Sequence, residues 1–198
     1  MGCDPRGLFG GLKQEMLALL GNGMRALPDG AFDDLALRVF AFQHSANPAY
    51  RAYCDALGTG TPSSWRGIPG LPSSAFKRMV VTSLAPDVAC CWFQTSGTTE
   101  WESGRHHFDD FVLYEAALLP PFAHFMGLGA EERMPMLFLT PTVEEAPHSS
   151  LSHMMDVVRR AFGTDASRHF VSDGHLDTDA LFSTLREVER AGRPVMLL

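Results

Sequence analysis

The residues best suited to chemistry lie in Phe93-Gln94-Thr95-Ser96-Gly97-Thr98-Thr99, where the apolar run Val88–Phe93 gives way abruptly to hydroxyls and glycine. A strand that delivers such a turn to a helix start offers free backbone N–H groups, hydroxyl donors and the positive end of a helix dipole. Together these suit a polyphosphate. Thr95, Ser96, Thr98 and Thr99 are the donors, and Gly97 lets the backbone approach closely. Ser, Thr and Gly also build ordinary turns. Position favours the anion, because ligands of open α/β sheets collect at the carboxyl ends of strands.

His106 and His107 follow closely enough to face such a ligand and hold a phosphate oxygen. The competing reading is plain helix entry, with Asp109 or Asp110 serving the first turn. His148 and His153 do not suggest a metal site, since their spacing keeps the rings off one helical face and nothing completes a ligand set. Cys90 and Cys91 have apolar neighbours and read as core thiols rather than nucleophiles. Met134, Met136, Met154 and Met155 suit a pliable core or pocket lining. A serine hydrolase is disfavoured, because no Gly-x-Ser-x-Gly elbow occurs.

The elements that must position these residues belong to a chain of 198 residues with 45% hydrophobic and 20% charged content. That is enough for one domain with a real core, burying about 70% of its unfolded surface. A formal charge of −7, with cationic residues clustered only in pairs such as Lys77-Arg78, argues against a nucleic-acid partner. No apolar run approaches the roughly 20 residues of a membrane span. Four cysteines without a Cys-x-x-Cys pair fit reduced thiols in a cytoplasm.

Residues 1–75 read as a helical segment and 76–198 as an α/β segment. Leu8, Leu12, Met16 and Leu19 mark a first helix stopped at Gly21. Phe32, Leu35, Ala36, Val39 and Phe42 mark a second. Asn47-Pro48 starts a third, closed by Gly58. Thr59–Pro72 is a connection. Beyond the hydroxyl-rich turn, Phe108, Val112, Leu119, Phe122 and Met126 form a helical stripe that Pro120-Pro121 should kink or split. A strand over Pro135–Leu139, a helix capped at Ser149 or Ser150 and ended by Gly163, a short strand at His169–Val171, a helix carrying Leu181, Leu185 and Val188, and a last strand over Pro194–Leu198 follow. The fold class expected is α/β: a helical N-terminal segment, then alternating strands and helices forming a mostly parallel sheet covered on both faces. A buried-looking strand at the very end makes a single domain cut short the expectation.

These residues resemble the acyl-protein synthetase (LuxE-type) family, distant relatives of adenylate-forming ligases such as phenylacetate–CoA ligase. The likeness runs in order through Phe40-x-x-Gln43, Asn47-Pro48-x-Tyr50, Trp65-x-x-Ile68-Pro69-x-Leu71-Pro72, Phe76-Lys77 and Phe93-x-Thr95-Ser96-Gly97-Thr98-Thr99. It continues through His107, Asp110 and Leu113-Tyr114 to Pro147, Ser149-Ser150-Leu151 and Met154. The resemblance implies the N-terminal part of an adenylate-forming ligase. It would use ATP and Mg²⁺ to activate a carboxylic acid, typically a fatty acid, as an acyl-adenylate and pass the acyl group to a protein thiol. Bacterial members of the family feed a reductase that makes the aldehyde for luminescence, so an acyl-acceptor or reductase protein is the implied partner. In this reading Thr95–Thr99 hold the phosphates, and His106 or His107 lines the carboxylate pocket.

The sequence departs from the family pattern in places. Glu100 stands where such loops usually carry another glycine, and Glu102 adds a second carboxylate. The lysine that many relatives place shortly after the loop is missing, and Arg105 is the cation in reach. The family's ribose-binding motifs, mobile lysine and acyl-accepting cysteine would fall beyond Leu198, so this chain alone is expected not to complete the reaction. A noncatalytic nucleotide- or partner-binding module is the alternative.

Overall fold

The structure is a computed structural model that describes residues 5–28, 30–85, 91–95, 103–129 and 131–198, with residues 5–8 described by backbone only. It is mixed α/β, with helices α1 (Pro5–Leu20), α2 (Ala31–Ala46), α3 (Pro48–Ala56), α4 (Ala75–Arg78), α5 (Val112–Met126), α6 (Ser150–Phe162) and α7 (Thr178–Ala191). The strands are β1 (Cys91–Gln94), β2 (Arg105–Phe108), β3 (Met136–Phe138), β4 (Arg168–His169), β5 (Val171–Ser172), β6 (His175–Leu176) and β7 (Met196–Leu197). The chain divides into two compact units, Met1–Leu113 and Tyr114–Leu198.

In the first unit the stripes read from sequence are packed in part: Leu12 of α1 and Phe42 of α2 are buried, while Phe32 is exposed. Phe9 of α1 stacks on Phe42 of α2 with centroids 5.3 Å apart. Asn47 caps α3 as expected, its side chain accepting the Tyr50 N–H at 3.1 Å, with Pro48 in the first turn. Phe40, Tyr50 and the fully buried Cys54 form a core cluster against Ile68 and Leu71. Burial pushes the Tyr50 hydroxyl up to about 12, helped by neighbouring Cys54. Lys13 of α1 reaches Asp109 at 2.6 Å and Asp110 at 2.7 Å, which ties α1 to the segment after β2.

β1 and β2 pair antiparallel, with Trp92 opposite His107 and Phe93 opposite His106. This corrects the expectation that the strand ending at Gln94 belongs to a parallel sheet and feeds a helix. A parallel return needs a crossover of about a dozen or more residues. The connection from Thr95 to Gly104 is too short for one. Phe108 therefore lies on β2, and α5 starts later, at Val112, whose N–H is accepted by Asp110 Oδ1 at 3.0 Å. That part of the helix-entry reading holds.

The second unit is built around β3, whose three residues are 0%, 1% and 0% exposed. β3 is central in a parallel sheet of order β4-β3-β7. Met136 and Phe138 pack with Leu128 and with Met155, Val158 and Phe162 of α6, and α5 adds Leu118, Leu119 and Phe122. Leu137 faces the other way, onto Phe170 and onto Leu181 and Leu185 of α7. Each fully buried Leu or Phe side chain contributes about 1.5–3 kcal/mol. The connection through α6 leads from β3 to β4, and the one through α7 returns across β3 to β7. Right-handed crossovers running in opposite directions put their helices on opposite faces, which is the packing seen. The sheet is covered on both sides, as the continuous apolar strands predict.

Two further expectations change. α5 runs unbroken through Pro120 and Pro121, so the prolines do not split it. The strand expected over His169–Val171 divides between β4 and an antiparallel hairpin, β5-β6. The cause is Asp173-Gly174, with φ of 51° and 75°, the two left-handed positions of a tight hairpin turn.

Candidate functional site

The β1-β2 hairpin carries the sequence-selected residues, and its mouth is closed by a reciprocal pair of hydrogen bonds. The Thr95 N–H donates to the Gly104 carbonyl at 2.9 Å, and the Gly104 N–H donates to Thr95 Oγ1 at 2.8 Å. Thr95 Oγ1 still carries a hydrogen to donate. Gly104 is buried because the hairpin lies directly on α4. A Cβ at this position would stand 2.8 Å from the Phe76 carbonyl carbon and oxygen. Only glycine allows that approach.

Strand alternation then sorts the candidates onto two faces. Phe93, His106 and Phe108 share one. The His106 ring sits 4.3 Å from that of Phe76, while Phe93 stacks on Phe111 at 4.4 Å. Burial, and secondarily His107, lowers the His106 pKa, so this imidazole is kept neutral among aromatic rings. Trp92, Gln94, Arg105 and His107 share the opposite face. There the Arg105 guanidinium lies 4.3 Å from the Trp92 ring centroid, a cation–π contact that holds its charge over the outer face of the hairpin. The structure thus groups Arg105 with His107 and separates both from His106. Ser96, Gly97, Thr98, Thr99, Glu100 and Glu102 lie outside the described residues, as does Cys90. The first element described after them is β2, so the helix dipole read into this loop comes from no described helix.

The second unit presents a polar group that the sequence reading missed. At the carboxyl end of β3 the Thr140 carbonyl accepts from His169 Nδ1 at 2.9 Å, and the His169 ring stacks on Phe138 at 4.7 Å. Nearby Glu145 accepts the Ser172 hydroxyl at 2.6 Å. That bond first, then N–H donors that include Thr142, holds its carboxyl below the usual range. The signal was there to find. Leu139-Thr140-Pro141-Thr142 repeats, after another apolar strand, the same change to hydroxyls seen after Phe93.

Other polar candidates serve the packing of this unit. His153 Nε2 meets Glu115 Oε1 at 2.9 Å, and Tyr114 donates to the Ser150 carbonyl at 3.1 Å, joining α5 to α6. Met136 and Met155 are core residues, with Met134 and Met154 packed against them. A cleft of about 460 Å³ opens at the amino ends of the parallel strands, lined by Arg133, Thr164, Asp165 and Arg193 among others. It lies at the edge opposite the one where α/β sheets gather ligands.

With this geometry in hand, the chain was compared with known proteins. It matches no family model, no curated protein and no solved structure. Function must therefore be argued from these residues and their placement.

Proposed function

We propose that this chain activates a carboxylic acid with ATP, as the N-terminal part of an acyl-protein synthetase. The acid's carboxylate oxygen attacks the α-phosphorus of ATP, and the bond to the bridging oxygen breaks. Pyrophosphate departs with that electron pair, leaving an acyl-adenylate whose acyl group passes to a protein thiol. A fatty acid fits the family that the sequence resembles.

The observation that carries this reading is the Thr95–Gly104 lock. It holds the two ends of a Ser/Thr/Gly-rich connection at hairpin separation. Preorganised N–H and O–H donors are what a leaving pyrophosphate needs, because they meet developing charge without reorganising. Mg²⁺ arriving with ATP shares the load and needs only phosphate oxygens and one or two protein ligands. In this reading Arg105, the residue after Gly104, supplies the protein's cation by leaving the Trp92 ring, and His107, on the same strand face, is the histidine that contacts the ligand. His106 supports the fold.

The test is carboxylate-dependent exchange of labelled pyrophosphate into ATP, comparing the chain with a Ser96→Ala, Thr98→Ala double variant. Exchange that falls about 100-fold or more supports the reading, since one oxyanion donor is worth about that much. Exchange that is equal in the variant assigns the chemistry elsewhere. ATP binding without any exchange supports a partial site, as expected of a chain that is only the N-terminal part of such an enzyme. Exchange that stays absent in a chain extended beyond Leu198 favours the second reading, a noncatalytic nucleotide- or partner-binding module. Arg105 lying on Trp92 and Glu100 within the loop are the features that favour it.

A further inference from the structure

We propose that Asp173, in the turn of the β5-β6 hairpin, is a site of spontaneous covalent modification, converting through a cyclic imide to isoaspartate at a rate that Glu145 restrains. The proposal is independent of nucleotide binding and rests on the second unit alone.

The sequence holds two Asp-Gly pairs, Asp29-Gly30 and Asp173-Gly174. Asp29 lies outside the described residues, whereas Asp173 and Gly174 form an exposed turn. The reacting groups there are free. Neither the Asp173 carboxylate nor the Gly174 N–H has a hydrogen-bond partner among the described residues. Gly174 has no Cβ to obstruct the approach of its own nitrogen to the neighbouring carboxyl carbon. Asp173 is also the one non-glycine residue among those described with a positive φ, 51°. That conformation is unfavourable for any residue with a side chain, so leaving it costs little once the turn loosens.

The hairpin is built to loosen. β5 and β6 have two residues each and form a sheet of their own, and a two-stranded ribbon of that kind is marginal by itself. Its base is closed by the Asp177 N–H on the Phe170 carbonyl at 2.8 Å. Its upper part is held by Glu145, which accepts the Ser172 hydroxyl at 2.6 Å, with the Asp173 N–H among the donors to the same carboxylate. Local opening above the base therefore requires Glu145 to let go.

The chemistry needs no partner but water. In the opened turn the Gly174 backbone nitrogen attacks the side-chain carboxyl carbon of Asp173 and forms the new C–N bond. The nitrogen's hydrogen and a carboxyl O–H leave together as water, closing a five-membered imide. Water then adds to one of the two imide carbonyls and breaks its bond to the nitrogen. Cleavage at the side-chain carbonyl restores aspartate. Cleavage at the main-chain carbonyl routes the backbone through the former side chain, giving isoaspartate. That residue adds a methylene to the main chain, so the two-residue turn and the pairing of Ser172 with His175 are lost.

The test incubates the full chain in mildly acidic buffer for several weeks, then locates isoaspartate by electron-transfer fragmentation of the peptide that spans Ser172–Leu176. The natural chain should accumulate isoaspartate at Asp173, preceded by a form of that peptide lighter by one water. Asp173→Glu, which would need a larger ring, should abolish both. Glu145→Ala should speed conversion about tenfold, as the loss of a hydrogen bond to a charged group implies, and Ser172→Ala should act in the same direction. Slow amide exchange at Leu137 and Phe138 in each variant shows that the sheet stays folded. No isoaspartate at Asp173 in the folded chain, while the guanidinium-unfolded chain converts, overturns the proposal. Equal rates in the natural chain and both alanine variants overturn the restraint by Glu145.

Discussion

Thr95 and Gly104 exchange hydrogen bonds at 2.9 and 2.8 Å, one through the Gly104 carbonyl and one through the Thr95 hydroxyl. The pair joins fold to proposed function, because it sets the separation from which the hydroxyl-rich connection begins and ends. Thr95→Val keeps the side chain's volume and deprives the buried Gly104 N–H of its acceptor. The expected loss is about 1–3 kcal/mol of stability. Gly104→Ala places a methyl group against the Phe76 backbone, and overpacking of that kind costs about 1–3 kcal/mol. Urea denaturation of the two variants measures both. A Gly104→Ala protein as stable as the natural one would contradict the packing of α4 on the hairpin.

His106 gives the first unit a dependence on pH. Its folded pKa lies below the unfolded value of 6.5 because burial disfavours the charged ring. The unfolded chain therefore binds the proton more readily. The stability held above the unfolded pKa is lost as pH falls through the folded one. His106→Phe keeps a ring against Phe76 and should flatten that part of the profile. Denaturation midpoints from roughly pH 7.5 to pH 5 measure the slope with and without the imidazole. A slope unchanged by the substitution would place the titrating group elsewhere.

The difference between His106 and His107 shows where the sequence was legible and where it was not. Helices with one apolar stripe and clear caps were readable: Asn47 before α3 and Ser149 before α6 bond as their types require. The apolar run Pro135–Leu139 was read as a strand, and β3 occupies its three central residues with helices packed on both faces. The β1-β2 hairpin was not readable, because Arg105-His106-His107-Phe108 has two histidines where an alternating strand would have distinct apolar and polar residues. Only the pairing with Cys91–Gln94 assigns one to the core and the other to the outer face. The buried hydroxyls of Thr140 and Ser152 were hidden for a related reason, because a hydroxyl just beyond a strand or in a helix's first turn reads as an ordinary turn or cap residue.

Pro120 and Pro121 lie inside α5 and leave the carbonyls of Ala116 and Ala117 without their usual intrahelical donors. A proline in a helix interior costs about 3 kcal/mol relative to alanine. Pro120→Ala and Pro121→Ala are each expected to stabilise the chain by about 1–3 kcal/mol. Thermal unfolding of the two single variants measures the gain. Destabilisation instead would mean that the proline rings contribute packing to the core formed by α5 and α6.

His107 and Arg105 share a strand face, so substitutions there should affect ligand binding without unfolding the hairpin. Arg105→Gln is expected to weaken ATP binding about tenfold or more, as the loss of a charge-assisted contact of about 1.5–3 kcal/mol requires. His106→Phe should leave it nearly unchanged. Fluorescence titration with ATP and Mg²⁺ distinguishes the two. Equal losses from both substitutions would contradict the division of faces.

The most direct test of the central claim is calorimetric titration of the chain with ATP and Mg²⁺, beside the Ser96→Ala, Thr98→Ala double variant. The account requires saturable binding by the natural chain and an affinity at least tenfold weaker in the variant. Identical affinities, or no binding by the natural chain, would show that the hydroxyls after Thr95 do not hold a nucleotide's phosphates.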